Sequence, residues 1–400
     1  MVCILSIIYD TLKSVGIKKK TSFLIIKVSC RGCCKQPLQV HTTGLGYNGN
    51  MNANQNEFRS INRIPEERYL RVSGTPYQVG LLMGEALQAQ LTKDIDHYLS
   101  DGPLKFGEID NKSLTEGAMA WFETLPQRFR MELEGLADGS GVPIRWIAEW
   151  NYADAGSSTG CSGFLLRRDG TIWLGRNNDL WVPDLWSYAI RRHITGRLGT
   201  INFGMRGELF AATGLNQAGL WLHYNWLPSF ESVTISGWTP YVLLTELLET
   251  CKNVDEIESR LRETTRTSGM LIFALEGNNG DGAIIECSPT QVFRRDIDQA
   301  FLAGTNHYQH LPTPQPSKDY APKSVARLEA LQAHLNALPQ SLQPNDLMAV
   351  LAEPTIEQRG PDYGTIYANL YHPASRQIWF TFGGYPAASR GNWQQIPWAF

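Results

Sequence analysis

Cys161 opens a stretch in which side chains suited to acyl chemistry fall close together: a thiol preceded by glycine in the run Thr159-Gly160-Cys161-Ser162-Gly163-Phe164, then an arginine and a carboxylate in Gly175-Arg176-Asn177-Asn178-Asp179. If two strands pair about the turn Arg168-Asp169-Gly170, Arg176 and Asp179 return alongside Cys161 near the strand end. A guanidinium beside a thiol favours thiolate, and a thiolate attacks a carbonyl carbon to give an acyl-enzyme. An imidazole base is the rival way to activate the thiol, with His223, His307 and His310 as its candidates. The bland alternative is a small buried hydrophobe in a strand, the reading also given to Cys251 and Cys287. Arg176 and Asp179 would then be an ordinary ion pair at a hairpin end.

The elements that must hold these groups are legible in outline. Thr75-Pro76 with Gln78 forms a capping-box start, after which Val79, Leu82, Leu87, Leu91, Ile95 and Tyr98 recur at helical spacing. A second helix start is expected at Ser113-x-x-Glu116, a division at Pro126 and a stop in the glycine-rich run 135–141, so that 64–150 reads as largely helical. From Cys161 onward the pattern shifts to short runs rich in aromatic and β-branched residues. Strands are expected near 161–166, 171–177, 187–195, 200–205, 208–213 and 219–226, then two helices over 239–262. A hairpin pairs 271–275 with 283–287, strands follow near 291–295 and 300–304, helices near 322–337 and 344–352, and a last hairpin pairs 364–371 with 376–382. This order gives an α+β fold, two sheets between helical layers, without the strict βαβ alternation of a dinucleotide-binding fold.

Several of these segments resemble one family. Residues 73–84 resemble the opening helix of the penicillin acyl-coenzyme A:isopenicillin N acyltransferase family of self-processing cysteine peptidases (C45), and Gly160-Cys161-Ser162-Gly163-Phe164 resembles its processing site. Residues 175–179 resemble its arginine–aspartate block, 214–220 a characteristic turn, and Thr305-Asn306-His307-Tyr308 its asparagine motif, with a more remote similarity to choloylglycine hydrolases and acid ceramidase-type amidases. The resemblance implies a four-layer αββα N-terminal-nucleophile hydrolase sandwich with an N-terminal helical segment. It also implies that Cys161 attacks the Gly160 carbonyl, so that the chain divides at Gly160-Cys161 and the new Cys161 α-amine serves as base, its reference pKa being near ~7.7–8.0. Asp179 would orient that amine, Arg176 would support the thiolate, and Asn306 would donate to the oxyanion, with Asn225 and Arg327 as supporting residues; the plain alternatives are a cap for Asn306 and a solvated helix position for Arg327. Where the penicillin-acyltransferase branch favours a small hydroxyl residue, this chain has Gly163, which leaves that branch's substrate in doubt.

The expected organisation is thus a poorly ordered leader over 1–63, a helical segment over 64–160 and the sandwich over 161–400, the latter two forming one composite domain and remaining associated after cleavage. The expected substrate is a small-molecule acyl amide or acyl-CoA-like thioester. Water as acceptor makes the chain an amidohydrolase, and an amine makes it an acyltransferase; a phospholipase B-like hydrolase or a non-catalytic scaffold are the alternatives. Four hundred residues with 42% hydrophobic content fold without staples, and 36 basic against 39 acidic residues leave a net charge of −3 and no basic stripe for nucleic acid. No run approaches the roughly 20 apolar residues of a membrane span. No cofactor or metal is expected, the Cys30, Cys33, Cys34 and His41 group lacking the second half of a zinc spacing. The expected location is the cytoplasm, with a lipoprotein-type signal ending at Cys30 as the alternative. Trp181 and Trp226, next to candidate site positions, are possible acyl-pocket residues.

Overall fold

The computed structural model describes residues 64–156, 160–229, 231, 238–277, 280–298, 300–312, 321–398 and 400. The expectations about a leader, a Cys30 signal and a zinc group fall outside them.

Ahead of Cys161 lie β1 (Tyr69–Gly74), α1 (Pro76–Leu87), α2 (Leu91–Asp101), α3 (Asn111–Thr124), α4 (Gln127–Ser140) and α5 (Ile144–Gly156). The Thr75 hydroxyl accepts from Gln78 N at 3.3 Å and the Gln78 side chain accepts from Thr75 N at 2.9 Å, closing the expected box. The single long helix expected beyond it is two, because the apolar spacing of Leu87, Leu91 and Ile95 reports a shared buried side and not an unbroken backbone. The cap of α3 is Asp110, whose carboxylate accepts from Ser113 N at 2.9 Å, so Ser113 lies inside the helix it was expected to start.

The glycine-rich run does not stop α4 at its beginning. Gly135 and Gly139 are helical because α1 crosses α4 with backbones in contact: a Cβ on Gly135 would stand 2.1 Å from Tyr77 O, and one on Gly80 1.9 Å from Glu132 O. The cost of glycine inside a helix, about 0.5–1 kcal/mol relative to alanine, is offset by that close approach. Only Gly141, at φ 73°, takes the left-handed cap conformation, with its N–H on Ala137 O.

From Ser162 the order is β2 (Ser162–Arg168), β3 (Thr171–Trp181), β4 (Tyr188–Ile194), β5 (Thr200–Gly204), β6 (Thr213–Asn216), β7 (Trp221–Leu227), α6 (Pro240–Thr250), α7 (Val254–Glu263), β8 (Gly269–Leu275), β9 (Gly282–Cys287), β10 (Val292–Asp296), β11 (Phe301–Gly304), α8 (Ala321–Ala337), α9 (Pro344–Leu351), β12 (Tyr363–His372), β13 (Gln377–Phe382), α10 (Ala387–Arg390) and β14 (Asn392–Ile396). An eight-stranded sheet runs β1-β4-β5-β6-β7-β8-β9-β10, and a six-stranded sheet runs β11-β2-β3-β12-β13-β14. Helices α6 and α7 pack on the first sheet, and α8, α9 and α10 on the second, so the fold is the expected αββα sandwich. Between the sheets Trp221 stacks on Tyr371 at 5.4 Å and Phe203 meets Phe380 at 4.8 Å. Phe164 and Leu166 face the opposite way, into a second core with Leu331, Leu335, Leu347 and Leu351. Strand β2 is therefore covered on both faces, the reason its sequence reads as an unbroken apolar run.

Two corrections bear on the site. The segment before Cys161 is not purely helical: β1 pairs in parallel with β4 and supplies the edge of the larger sheet. The strand expected over 208–213 begins only at Thr213, because the backbone ahead of it is held by side chains, Leu209 O by Arg192, Ala211 N by Thr245 and Ala212 O by Arg176.

Candidate active site

The hairpin that carries the site turns where it was expected to. Asp169 and Gly170, at φ 50° and 73°, make the turn between β2 and β3, and the register sets Ser162 opposite Asn177 and Gly163 opposite Arg176. Cys161, just before β2, is 1% exposed. Its Sγ lies 3.4 Å from Asn178 Oδ1 and receives Arg176 Nη2 at 3.6 Å. The guanidinium is fixed from the other sheet as well, Nη1 donating to Ala212 O and Thr213 Oγ1 at 2.6 Å each, while Nη2 also donates to Asn178 Oδ1. Burial works against its charge, yet the neighbouring Tyr367 and Cys161 hold its pKa above the ordinary arginine value. Arg176 is thus a cation at the thiol, held rigidly between the sheets.

Asp179, three residues on, meets different partners. Its Oδ1 accepts from Thr365 Oγ1 at 2.7 Å, and its Oδ2 stands 3.9 Å from Arg327 Nη1. Burial pushes the carboxyl up to about 7 against the opposing pull of Arg327 and the Thr365 hydrogen bond. Arg327 comes from α8, and its Nη1 donates to Gly160 O at 2.5 Å, Cys161 O at 2.8 Å and Ser162 Oγ at 2.9 Å. One guanidinium therefore brackets both carbonyls around the Gly160–Cys161 bond. Its Nη2 donates to Asn306 Oδ1 at 2.9 Å. Ser324, one helical turn before Arg327, accepts from Asn306 N at 2.8 Å and bonds His307 Nδ1 at 2.8 Å, docking the Thr305-Asn306-His307 segment onto α8.

Cys161, Arg176, Asp179, Asn306 and Arg327 are thereby brought together around Gly160. The two amides sit as follows. Asn306 Nδ2 donates to Trp226 O at 2.9 Å, and Asn225 Nδ2 donates to Thr305 O at 3.1 Å and Gly304 O at 3.4 Å. Asn225 ties β7 of one sheet to the end of β11 in the other, and its Oδ1 has no hydrogen-bond partner among the described residues. Of the histidine candidates, His223 Nδ1 accepts from Trp221 at 3.1 Å, its Nε2 has no hydrogen-bond partner among the described residues, and burial, aided by Arg176, holds its pKa well below the ordinary value. His310 stacks on Phe293 at 4.7 Å.

Residues unforeseen in the sequence are Asn178, Ser162, Ser324, Thr213, Thr365 and Tyr363. Asn178 and Ser162 were accessible by strand parity, which sends Asn178 the way of Arg176; Thr365 and Tyr363 arrive on β12, which pairs with β3 from far along the chain. Trp181 is buried beside the site, under Phe106 at 5.6 Å, whereas Trp226 is half-buried and contributes its carbonyl to Asn306.

An αββα sandwich with a thiol at the head of an inner strand is the arrangement expected of an N-terminal-nucleophile hydrolase. Residues 165–386 match the family described as acyl-coenzyme A:6-aminopenicillanic acid acyl-transferase, and the chain belongs to that family. The matched stretch contains Arg176, Asp179, Asn225, Asn306 and Arg327 and begins just after Cys161. Protein dcd1B of Dictyostelium discoideum is 22% identical over 256 residues, 55% of this chain and 50% of that protein; the chain spans about half the length of the curated relatives it matches. Similar solved structures include a conjugated bile acid hydrolase variant from Clostridium perfringens (TM-score 0.40, 12% identity, 60% of this chain and 97% of that one). A penicillin V acylase from Agrobacterium tumefaciens (TM-score 0.39, 13% identity, 60% and 86%) is another. The Caenorhabditis elegans N-acylethanolamine-hydrolyzing acid amidase ortholog (TM-score 0.39, 14% identity, 59% and 100%) is a third.

Proposed function

We propose that the chain is a self-processing cysteine amidohydrolase or acyltransferase that acts on non-peptide amide or thioester carbonyls through an acyl-Cys161 intermediate. The observation that carries this reading is the pair of guanidiniums on one peptide: Arg176 Nη2 on the Cys161 thiol at 3.6 Å and Arg327 Nη1 on the Gly160 carbonyl oxygen at 2.5 Å. Attack of Sγ on the Gly160 carbonyl carbon places negative charge on the oxygen that Arg327 already holds. Collapse breaks the C–N bond, and the Cys161 nitrogen takes up a proton to become a free amine. Water then hydrolyses the thioester, giving a Gly160 carboxylate and regenerating the thiol. In the processed protein that amine takes the thiol proton as an external acyl donor is attacked and returns it to the departing group. Asp179, the buried carboxylate on the Arg327 side, orients the amine, and Asn306 supports the oxyanion once its amide is turned from Trp226 O.

Intact mass of purified protein tests this reading. A fragment corresponding to residues 161–400 is expected, together with a mass increase on that fragment after an acylating β-lactam or chloromethyl-ketone probe. A protein that stays whole, or a cleaved one that takes up no probe, would remove the mechanism.

Arg327→Ala is expected to slow appearance of the fragment by about 10²–10³, the usual loss for one oxyanion donor. Mass spectra at timed intervals after expression or refolding give the rate. Cleavage at the wild-type rate would reduce Arg327 to a structural clamp on α8.

A further inference from the structure

The chain's own scissile peptide shows which acyl groups the site is shaped to take. A Cβ built on Gly160 would lie 2.5 Å from Tyr363 Oη, closer than real Cβ contacts come, while the Tyr363 ring carbons behind the hydroxyl stand at 3.4 and 3.5 Å, ordinary contact distances. The obstruction is therefore the one hydroxyl.

Tyr363 is held there from three sides. Its backbone opens β12 opposite Trp181, with its carbonyl accepting from Gly360 N at 2.9 Å. Its ring leans on Trp181 at 6.3 Å, and Trp181 is itself stacked under Phe106 at 5.6 Å and pressed by the backbone at Gly102. The adjoining Asp362 is ion-paired with Lys105 at 3.3 Å. Retreat of the hydroxyl is opposed by these contacts, which run from the ring through Trp181 to Phe106 in the loop between α2 and α3.

Resting on the function proposed above, we infer that Tyr363 is a specificity-determining residue that restricts the site to acyl groups unbranched at the carbon next to the carbonyl. In the acyl-enzyme the donor's carbonyl replaces that of Gly160, its oxygen on Arg327 and its carbon on Sγ. The donor's α-carbon then occupies the place of Gly160 Cα, and its chain continues where the Gly160 nitrogen was. A methyl branch in the place of an L-residue's Cβ, the (R) configuration for a 2-methylalkanoyl group, meets the Tyr363 hydroxyl. Straight-chain and arylacetyl-type acyl groups have only hydrogen there. The same contact accounts for glycine at 160: any other L-residue would press the carbonyl away from Arg327 before the thiol could attack.

The test uses the full chain and two readouts. Gly160→Ala is expected to slow self-cleavage about 10- to 100-fold, as overpacking at a fixed site does, and Tyr363→Phe in the same chain is expected to restore most of that loss. In the processed wild type, kcat/KM for a straight-chain N-acyl p-nitroanilide should exceed that for its (R)-2-methyl counterpart about 10- to 100-fold, and Tyr363→Phe should bring the ratio down to within a few-fold of unity. Because a ratio is read, a general loss of turnover in the variant does not disguise the result. Gly160→Ala cleaving at the wild-type rate, or an unchanged ratio in Tyr363→Phe, overturns the assignment while leaving the nucleophile untouched. A wild type that never cleaves takes down the proposed function and this inference with it.

Discussion

Cys161→Ala is expected to stay whole, to form no acyl adduct and to lose turnover by a factor on the order of 10⁶, the scale seen when a covalent nucleophile is deleted. The fold should tolerate the change. Sγ fills a buried site, and alanine removes only that atom. Arg176, the group most exposed to the loss, keeps Asn178, Ala212 O and Thr213 as partners, so no buried cation is stranded. Structure and chemistry thus separate in one variant: circular dichroism and thermal unfolding close to wild type, with a single band at full length and no labelling. An alanine variant that still yields a 161–400 fragment would place the nucleophile elsewhere. A variant that unfolds would mean that the thiol's packing matters more than its reactivity.

The region around Cys161 was legible because its logic is local. The Arg168-Asp169-Gly170 turn fixes one register, and that register returns Arg176 to the thiol across a single hairpin. The same local reading blurred the distinction between Arg176 and Asp179. Residues three apart on a strand face opposite ways, and the structure accordingly gives Arg176 to the gap between the sheets, where it meets Ala212 and Thr213, and Asp179 to Thr365 and Arg327. What pairing at a distance decides was not readable: β1 joining β4 in parallel, β12 entering beside β3 to bring Thr365 and Tyr363, and α8 reaching back to clasp Gly160 O. Glycines misled for a related reason. Gly135 and Gly139 look like a helix stop in one dimension and become the contact surface for α1 in three.

Arg192→Met carries the other large expectation, a loss of about 3–5 kcal/mol of stability, because it would take from the buried Glu132 its nearest cation and from the buried Glu249 one of its two. Arg192 Nη2 sits 2.5 Å from Glu132 on α4 and 3.0 Å from Glu249 on α6, and Arg128 joins Glu132, Glu249 and Glu246 at 3.1, 2.8 and 2.6 Å. Division at Gly160 would put Arg128 and Glu132 on one chain and Arg192, Glu246 and Glu249 on the other, so this network would become a clasp between the two products. Measured in the uncleaved Cys161→Ala background, urea midpoints report its worth without the complication of chain separation; in the cleaved protein the same substitution should let the chains part at lower urea. Pairing Arg192→Met with Glu132→Leu should recover much of the loss, since apolar residues of similar volume often replace a buried ion pair at little cost. The sign of the pH effect follows from Glu132, which burial pushes from 4.5 up to about 7 even with Arg192 beside it. A carboxyl that holds its proton more tightly when folded contributes stability that is complete below its unfolded value and lost as pH rises through its folded one. Its contribution should therefore decline between pH 4.5 and about 7, and Glu132→Gln should flatten that part of the stability profile. A profile unchanged by Glu132→Gln, or an Arg192→Met midpoint equal to the parent's, would show that the two segments are held together by the β1–β4 pairing and by the packing of α1 on β4 and α5 on α6.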